Sequence, residues 1–170
     1  MTVFGNRSDF SGASDGATET GQPEIRLQVA ALCFRVNRGK AEILLITSRD
    51  TGRWLLPKGW PVDGLDAPES AAREAWEEAG VKGETDEICL GHYAYLKTMP
   101  GTAGLPCRVA VYPLRVETIK DRFRERRQRQ RKWFALVKAA TLVQEPGAQL
   151  LIAAFADNPL LQAGSGGIKA

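Results

Sequence analysis

The stretch Pro57–Val81, PKGWPVDGLDAPESAAREAWEEAGV, gathers Glu69, Glu74, Glu77 and Glu78 around one arginine, Arg73, and closes on a glycine. Its punctuation predicts a helix. Asp66 is placed to cap the first turn, and Glu69, three residues on, completes a capping box. Pro68 falls in the first turn, where a missing N–H costs nothing. Gly80 suits the left-handed position after a helix end. Ala72, Ala75 and Ala79 form a small-residue stripe able to press on a sheet. Glu74 and Glu78 are four apart and share a face, with Glu77 almost on it. Carboxylates at that spacing repel. Arg73 can pair with Glu77 at i,i+4, yet the face stays negative and invites a cation. Oxygen donors without His or Cys nearby suit Mg²⁺ or Mn²⁺ and argue against zinc. On charge alone the bland alternative, a solvated acidic helix, would be favoured.

Outward from this stretch the pattern alternates between strand-like and helix-like runs. IRLQVAALCFRV (25–36) and AEILLITSR (41–49) look like strands joined by a hairpin turn at Asn37-Arg38-Gly39, and GRWLLP (52–57) like a third. TDEICLGHYAYLKT (85–98) and CRVAVYPLRVE (107–117) follow, parted by a Pro/Gly loop at 100–106. A basic segment, 120–132, leads into KWFAL, and two helix-like segments, 135–143 and 147–157, close the domain. Strands on both sides of a central helix, with helices at the end, predict an α/β fold with a mixed sheet between helices. The expected organisation is a flexible N-terminal tail over 1–23, one domain over 24–160 and a flexible C-terminal tail over 161–170.

Composition bounds the function. The chain has 170 residues, 44% of them hydrophobic, which is enough for one domain with its own core. A net charge of +3 gives no whole-chain argument for nucleic acid. Cys33, Cys89 and Cys107 show no metal-ligand spacing and are expected as small apolar residues in a reducing compartment. No run is long enough to span a membrane and no signal-peptide core opens the chain, so a cytoplasmic protein is the expectation. His92, the single histidine, is expected to be structural, and Trp76 to pack away from the acidic face.

The quoted stretch resembles the Nudix box, G-x5-E-x7-R-E-U-x-E-E-x-G-U with U aliphatic. Gly59 takes the first glycine. Arg73-Glu74-Ala75-Trp76-Glu77-Glu78-Ala79-Gly80-Val81 fills the second half in register, with Ala75 a small occupant of the first aliphatic place. One position departs: the first glutamate of the box falls on Leu65. In the family that residue orients the box arginine, so here Asp63 or Asp66 would substitute, or Arg73 would lean on Glu77 alone.

The resemblance implies a metal-dependent hydrolase of the Nudix fold that cleaves a nucleoside diphosphate linked to another moiety, or a similar pyrophosphate. Glu74 and Glu78 correspond to the main metal ligands and Glu77 to a further one, with the backbone carbonyl of Lys58 another. Arg73 completes the catalytic box. The general base is left open between a box glutamate and a later acidic residue, Glu117 or Glu125. RWLLPKGW is similar to the approach to the box in Nudix enzymes of diphosphoinositol and diadenosine polyphosphates. RQRQRKWFAL resembles the basic run before Trp-Phe in the diphosphoinositol enzymes. This implies a phosphate-rich small-molecule substrate, held by Arg53, Lys58, Arg126, Arg127, Arg129 and Arg131, the arginines through charged forks, against the bland alternative that the basic run is a solvated, charge-repelling segment. The alternatives are an RNA 5′-pyrophosphohydrolase, and a non-catalytic Nudix domain that binds a ligand. Trp54, Trp60, Tyr93, Tyr95 and Phe123 are available for base stacking, with core or rim packing as their bland alternative.

Overall fold

The computed structural model describes residues 21–163, so most of both expected tails lies outside the described residues. The elements in chain order are β1 (Arg26–Asn37), β2 (Lys40–Thr47), β3 (Trp54–Leu55), β4 (Lys58–Gly59), α1 (Ala67–Ala79), β5 (Val81–Thr85), β6 (Gly91–Lys97), β7 (Leu105–Ile119), β8 (Arg131–Ala135), α2 (Leu136–Leu142) and α3 (Pro146–Ala154). Two short 3₁₀ turns, Phe155–Asp157 and Pro159–Leu161, follow. Among the described residues no helix is long and apolar enough to cross a membrane.

Two long strands organise the sheet. β1 and β7 run parallel, paired from Arg26↔Cys107 to Phe34↔Arg115. Each then changes outer partner along its length. β1 meets β4 at Val29↔Gly59 and β2 from Phe34↔Ile43 onward. β7 meets β6 through its first half and β5 through its second. The sheet therefore splays at one end, between β4 and β6, and the cleft opens there.

Both faces of β1 are covered, which explains its unbroken apolar run. Val29, Ala31 and Cys33 face α1 and meet Ala71, Ala75 and Ala79, all fully buried. Ala30, Leu32 and Phe34 face the other way, toward Leu136, Ala139, Ile152 and Phe155 of the C-terminal helical segment. The stripe that lets α1 lie close to the sheet is thus Ala71, Ala75 and Ala79, with Ala72, expected in it, only partly buried at its side. A larger residue at Ala75 would push it off, at a cost of about 1–3 kcal/mol.

The α/β sandwich agrees with the sequence, and local extents differ. The strand expected over 52–57 is two short bridges, β3 and β4, on either side of Pro57, whose carbonyl accepts from the Ala31 N–H at 3.0 Å. The run expected over 85–98 begins only at Gly91, and a separate strand, β5, precedes it. KWFAL contributes a strand, β8, paired to β2 through Ile43↔Phe134 and Leu44↔Trp133. The cysteines are free, with Cys33 and Cys107 buried. His92 is exposed on β6. Trp76 is half-buried, with the Lys82 ammonium 4.4 Å from its ring centroid.

Candidate active site

The site is built on α1. Its capping box is complete: the Glu69 N–H donates to Asp66 Oδ1 at 2.8 Å, and the Asp66 N–H donates to Glu69 Oε2 at 2.9 Å. Asp66 is thereby engaged at the helix start, and among the ion pairs of the described residues Arg73 pairs only with Glu77, at 3.1 Å. Leu65 leaves no carboxylate in its place, and Arg73 remains half-exposed outside the cleft lining. Gly59 is a glycine for a steric reason. A Cβ there would sit 2.3–2.5 Å from the Glu74 carboxylate, which packs directly on this backbone.

The other end of α1 explains much of the basic segment. Helix ends leave carbonyls without partners, and the negative end of the dipole attracts cations. Here the chain from 120 to 131 folds back to supply both. The Glu125 N–H donates to Glu77 O at 3.1 Å and the Lys120 N–H to Gly80 O at 2.8 Å. Arg131 Nη1 donates to Ala79 O at 2.6 Å and to Lys120 O at 2.7 Å. Gly80, at φ +66, has no room for a Cβ beside Phe123 and Arg131.

Between α1, the β2–β3 turn, β4, β6 and the 120s segment lies a cleft of about 610 Å³. Glu74, Glu77, Glu78 and Glu125 line it, together with Asp50. Arg49, Arg53, Lys58, Lys97, Arg124 and Arg129 line it as well, so an acidic wall meets a cationic rim.

Glu78 is the most buried of the acids. One oxygen accepts from the Lys58 backbone N–H at 3.1 Å, and the other from Arg129 Nη2 at 2.9 Å. Burial pushes its carboxyl up to about 7, and the neighbouring Glu74 and Glu125 charges push the same way, against the pull of Arg129 and the Lys58 N–H. Burial likewise raises Glu74, helped by Glu77 and Glu125. Lys58 is held below its ordinary value, chiefly by burial, while its ammonium donates to the Tyr95 hydroxyl at 3.0 Å. Tyr95 in turn donates to Gln28 at 2.6 Å.

The donors fit a hard divalent cation. They are carboxylates only; burial, and then their neighbours' charge, raises the proton affinity of Glu74 and Glu78, and a cation relieves that strain. Among the described residues no group of three such side chains is already closed into a cage. The carboxylates turn instead to guanidinium groups: Glu78 to Arg129, and Glu77 to Arg73 and Arg124 at 3.1 and 3.3 Å.

The substrate residues expected from sequence divide sharply. Arg53 and Lys58 line the cleft, Arg53 anchored to buried Glu145 at 2.6 Å. Arg129 lines it too, but its guanidinium is nearly buried and bonded to Glu78, Glu125 and the Thr47 carbonyl. Arg126 and Arg127 are exposed and outside the lining, and Arg131 is engaged at the helix end. Arg49, Lys97 and Arg124 were not singled out by the sequence. Arg124 sits within the same basic run, and Arg49 and Lys97 end strand-like segments with no pattern to mark them. Of the two outlying acids, Glu125 is in the cleft, whereas Glu117 is exposed on β7 and outside it.

Comparison with known proteins identifies the family. The NUDIX domain matches residues 26–155. The chain is 32% identical over 130 residues to Bos taurus diphosphoinositol polyphosphate phosphohydrolase 3-beta, covering 75% of each chain. It is 36% identical over 122 residues to Nudix hydrolase 21, chloroplastic, of Arabidopsis thaliana, covering 69% of this chain and 58% of that one. Among solved structures, C. elegans Ap4A hydrolase superposes with a TM-score of 0.55 at 22% identity, over 78% of this chain and 97% of the other. A NUDIX hydrolase from Nitrosomonas europaea gives 0.61 at 16% identity, over 78% and 89%. The chain belongs to the Nudix family. It is a Nudix hydrolase, an enzyme of phosphoanhydride bonds.

Proposed function

We propose that the protein is a divalent-metal-dependent pyrophosphohydrolase of a phosphate-rich small molecule, either a diphosphoinositol polyphosphate or a dinucleoside polyphosphate. The observation that carries this reading is the meeting of an acidic wall and a cationic rim in one cleft. An anhydride needs both. The acids hold the metal, and the cations hold phosphates beyond the bond that breaks. The diphosphoinositol phosphohydrolase relatives and the Ap4A hydrolase fold neighbour support the two substrate classes.

Glu74 and Glu78 would hold Mg²⁺ or Mn²⁺, with Glu77 and the Lys58 carbonyl as further donors. Bound there, the cation supplies charge neutralisation to phosphate oxygens and acidifies water. The protein's own groups do the rest. Arg129 fixes Glu78 and Glu125 relative to each other. Glu125, beside Glu78 on the shared Arg129, would accept the proton of the attacking water. Arg49, Arg53, Lys58, Lys97 and Arg124 neutralise and orient the remaining phosphates.

The test is a panel of diphosphoinositol, dinucleoside and RNA 5′ polyphosphates with Mg²⁺ and Mn²⁺, products identified by mass. The expected result is cleavage of one of the first two classes. Preference for RNA 5′ ends would replace the substrate assignment, and binding without turnover in every class would return the domain to a ligand-binding module.

A further inference from the structure

One buried carboxylate beside the cleft does not belong to the acidic helix. Glu145 is only 8% exposed and sits at the corner between α2 and α3, far along the chain from Glu74 and Glu78. Burying a carboxylate is costly unless a partner holds it. Its place just before α3 is one where a negative charge suits the helix end, yet its side chain makes no capping bond. It accepts instead from Arg53 Nη1, at 2.6 Å. The neighbouring Gln144 accepts from the same nitrogen at 3.4 Å.

The corner that carries Glu145 is itself held in place. Gly147 lies so close to β6 that a Cβ there would come within 2.6 Å of Tyr93 Cβ. Val143 is buried, and its carbonyl accepts from Gln149 Nε2 at 2.8 Å. The Gln149 N–H donates to the Glu145 carbonyl at 3.0 Å and closes the first turn of α3. Arg53 is fixed at its other end by Ser48. Its carbonyl accepts from the Ser48 N–H at 2.8 Å, and its N–H donates to Ser48 Oγ at 3.2 Å. A long side chain that lines the cleft is thus held at its root by the β2–β3 turn and at its tip by the helical corner. Among the described residues only Nη1 is engaged in this way, and Nε and Nη2 donate to no protein group. Those two nitrogens form one edge of the guanidinium fork, and such an edge takes a phosphate through two parallel hydrogen bonds.

We infer that Glu145 is a positioning residue that acts through Arg53, holding the guanidinium so that its Nε–Nη2 edge is ready for a phosphate of the substrate. The inference rests on reading the cleft as a polyphosphate site, and it adds a residue that never touches the substrate. Two effects of Glu145 oppose each other. Its charge repels phosphate, whereas its hold spares the substrate the entropy of ordering a long side chain. Ordering one such side chain on binding costs roughly two- to tenfold in affinity. The repulsion is blunted, because the carboxylate is already neutralised by the guanidinium it holds. The hold therefore outweighs the charge, and reach at position 145 should matter more than its sign.

The experiment separates reach from charge. Bis(phosphonomethyl)phosphinate, an uncleavable tripolyphosphate with carbon in place of both bridging oxygens, is titrated calorimetrically into the full chain in Mg²⁺. Glu145→Asp keeps the charge but withdraws it by one methylene, and should weaken binding about three- to tenfold. Glu145→Gln keeps the reach and an acceptor oxygen without the charge, and should bind at least as tightly as the parent. Arg53→Gln should weaken binding on the order of tenfold or more. Adding Glu145→Asp to Arg53→Gln should cost nothing further, since no guanidinium is left to hold. Should the unpaired carboxylate of Arg53→Gln prevent folding, the contrast between Glu145→Asp and Glu145→Gln decides alone. Parent-level binding by Glu145→Asp overturns the inference, and so does an equal loss from that change in the Arg53→Gln background. If Arg53→Gln binds like the parent, Arg53 holds no phosphate, and the inference falls while the polyphosphate site stands. If the parent does not bind the compound, the reading of the cleft falls and the positioning role falls with it.

Discussion

Two segments of opposite charge form the cleft, and they were built on different principles. The acidic helix, Asp66–Gly80, is local: its cap, its alanine stripe and its ligand face follow from residues within one another's reach along the chain. The basic segment, 120–132, is defined by what it touches. Consecutive-looking arginines there have unrelated tasks, with Arg124 at the rim, Arg129 inside pinning Glu78, Arg131 under the helix end, and Arg126 and Arg127 in solvent. Like residues in a run share composition, and their partners give each one its role.

The largest effect should come from the acidic side. Glu78→Gln keeps shape and the Lys58 N–H partner but removes the charge. Its kcat is expected to fall on the order of a hundredfold or more with the fold intact. The same change should stabilise the metal-free protein. The folded carboxyl titrates at about 7, above its ordinary 4.5. Between those values the folded state holds a proton that the unfolded chain has lost, so stability falls as pH rises through that window. In EDTA at pH 8, Glu78→Gln should therefore melt higher by roughly 3–6 °C. The gain should shrink toward zero near pH 5. A melting point that drops at pH 8 would mean that the Arg129 pair outweighs the burial of the charge. Parent-level turnover in a variant that binds metal normally would remove Glu78 from the metal site.

Next in size is a split within the basic run. Arg131→Met strips the Ala79 and Lys120 carbonyls of their donor and is expected to cost about 1–3 kcal/mol of stability, read by urea denaturation. Arg126→Gln and Arg127→Gln should stay within about 0.5 kcal/mol of the parent in the same measurement. Equal costs at all three positions would erase the distinction between Arg131 and its neighbours.

How much of this was legible follows from the same contrast. The helix and its caps could be read because each signal lies within a turn of its partner. β1 and β2 could be read because their apolar runs are long. β8 could not: Arg131-Lys132-Trp133-Phe134 sits at the end of a charged run, and only its pairing with β2 makes it a strand. β5 could not either, since Val81–Thr85 is short, polar and contains a glycine. At the site the carboxylates were visible in advance, and so were Glu117 and Glu125 as the outlying acids, though not which of them would line the cleft. That turns on the Glu125 N–H reaching Glu77 O, a contact between residues 48 apart. Arg49 and Lys97 became visible only when the splayed sheet brought the ends of β2 and β6 to one opening.

A moderate effect is expected at that opening. Arg49→Gln combined with Arg124→Gln should raise KM several-fold for a densely phosphorylated substrate, with kcat nearly unchanged. The salt dependence of KM should flatten in the same variant, because each lost phosphate contact releases fewer counterions. The matching pair Arg126→Gln and Arg127→Gln should leave both KM and its salt slope as in the parent. If that second pair moves KM instead, the rim has been drawn in the wrong place and the solvent-facing arginines reach the substrate.

The smallest effect belongs to the position where the box departs from its pattern. Leu65 precedes the cap of α1, is partly exposed, and offers Arg73 nothing. Arg73 leans on Glu77 alone, so restoring a carboxylate by Leu65→Glu gives it a second partner at the surface. Exposed ion pairs contribute about 0–1 kcal/mol, so stability should barely change. Activity should change less than about threefold, which on this scale is under 1 kcal/mol of barrier, because neither Arg73 nor Leu65 lines the cleft. The informative outcome is a large gain. Glu77 accepts from Arg73 at one oxygen and from Arg124 at the other. If a glutamate at 65 drew Arg73 away, Glu77 would be freer to turn toward a metal. A gain of tenfold or more in kcat, with tighter Mn²⁺ binding by titration, would mean that the natural chain holds one of its three helix carboxylates back. The acidic helix would then depend on distant partners as much as the basic run does.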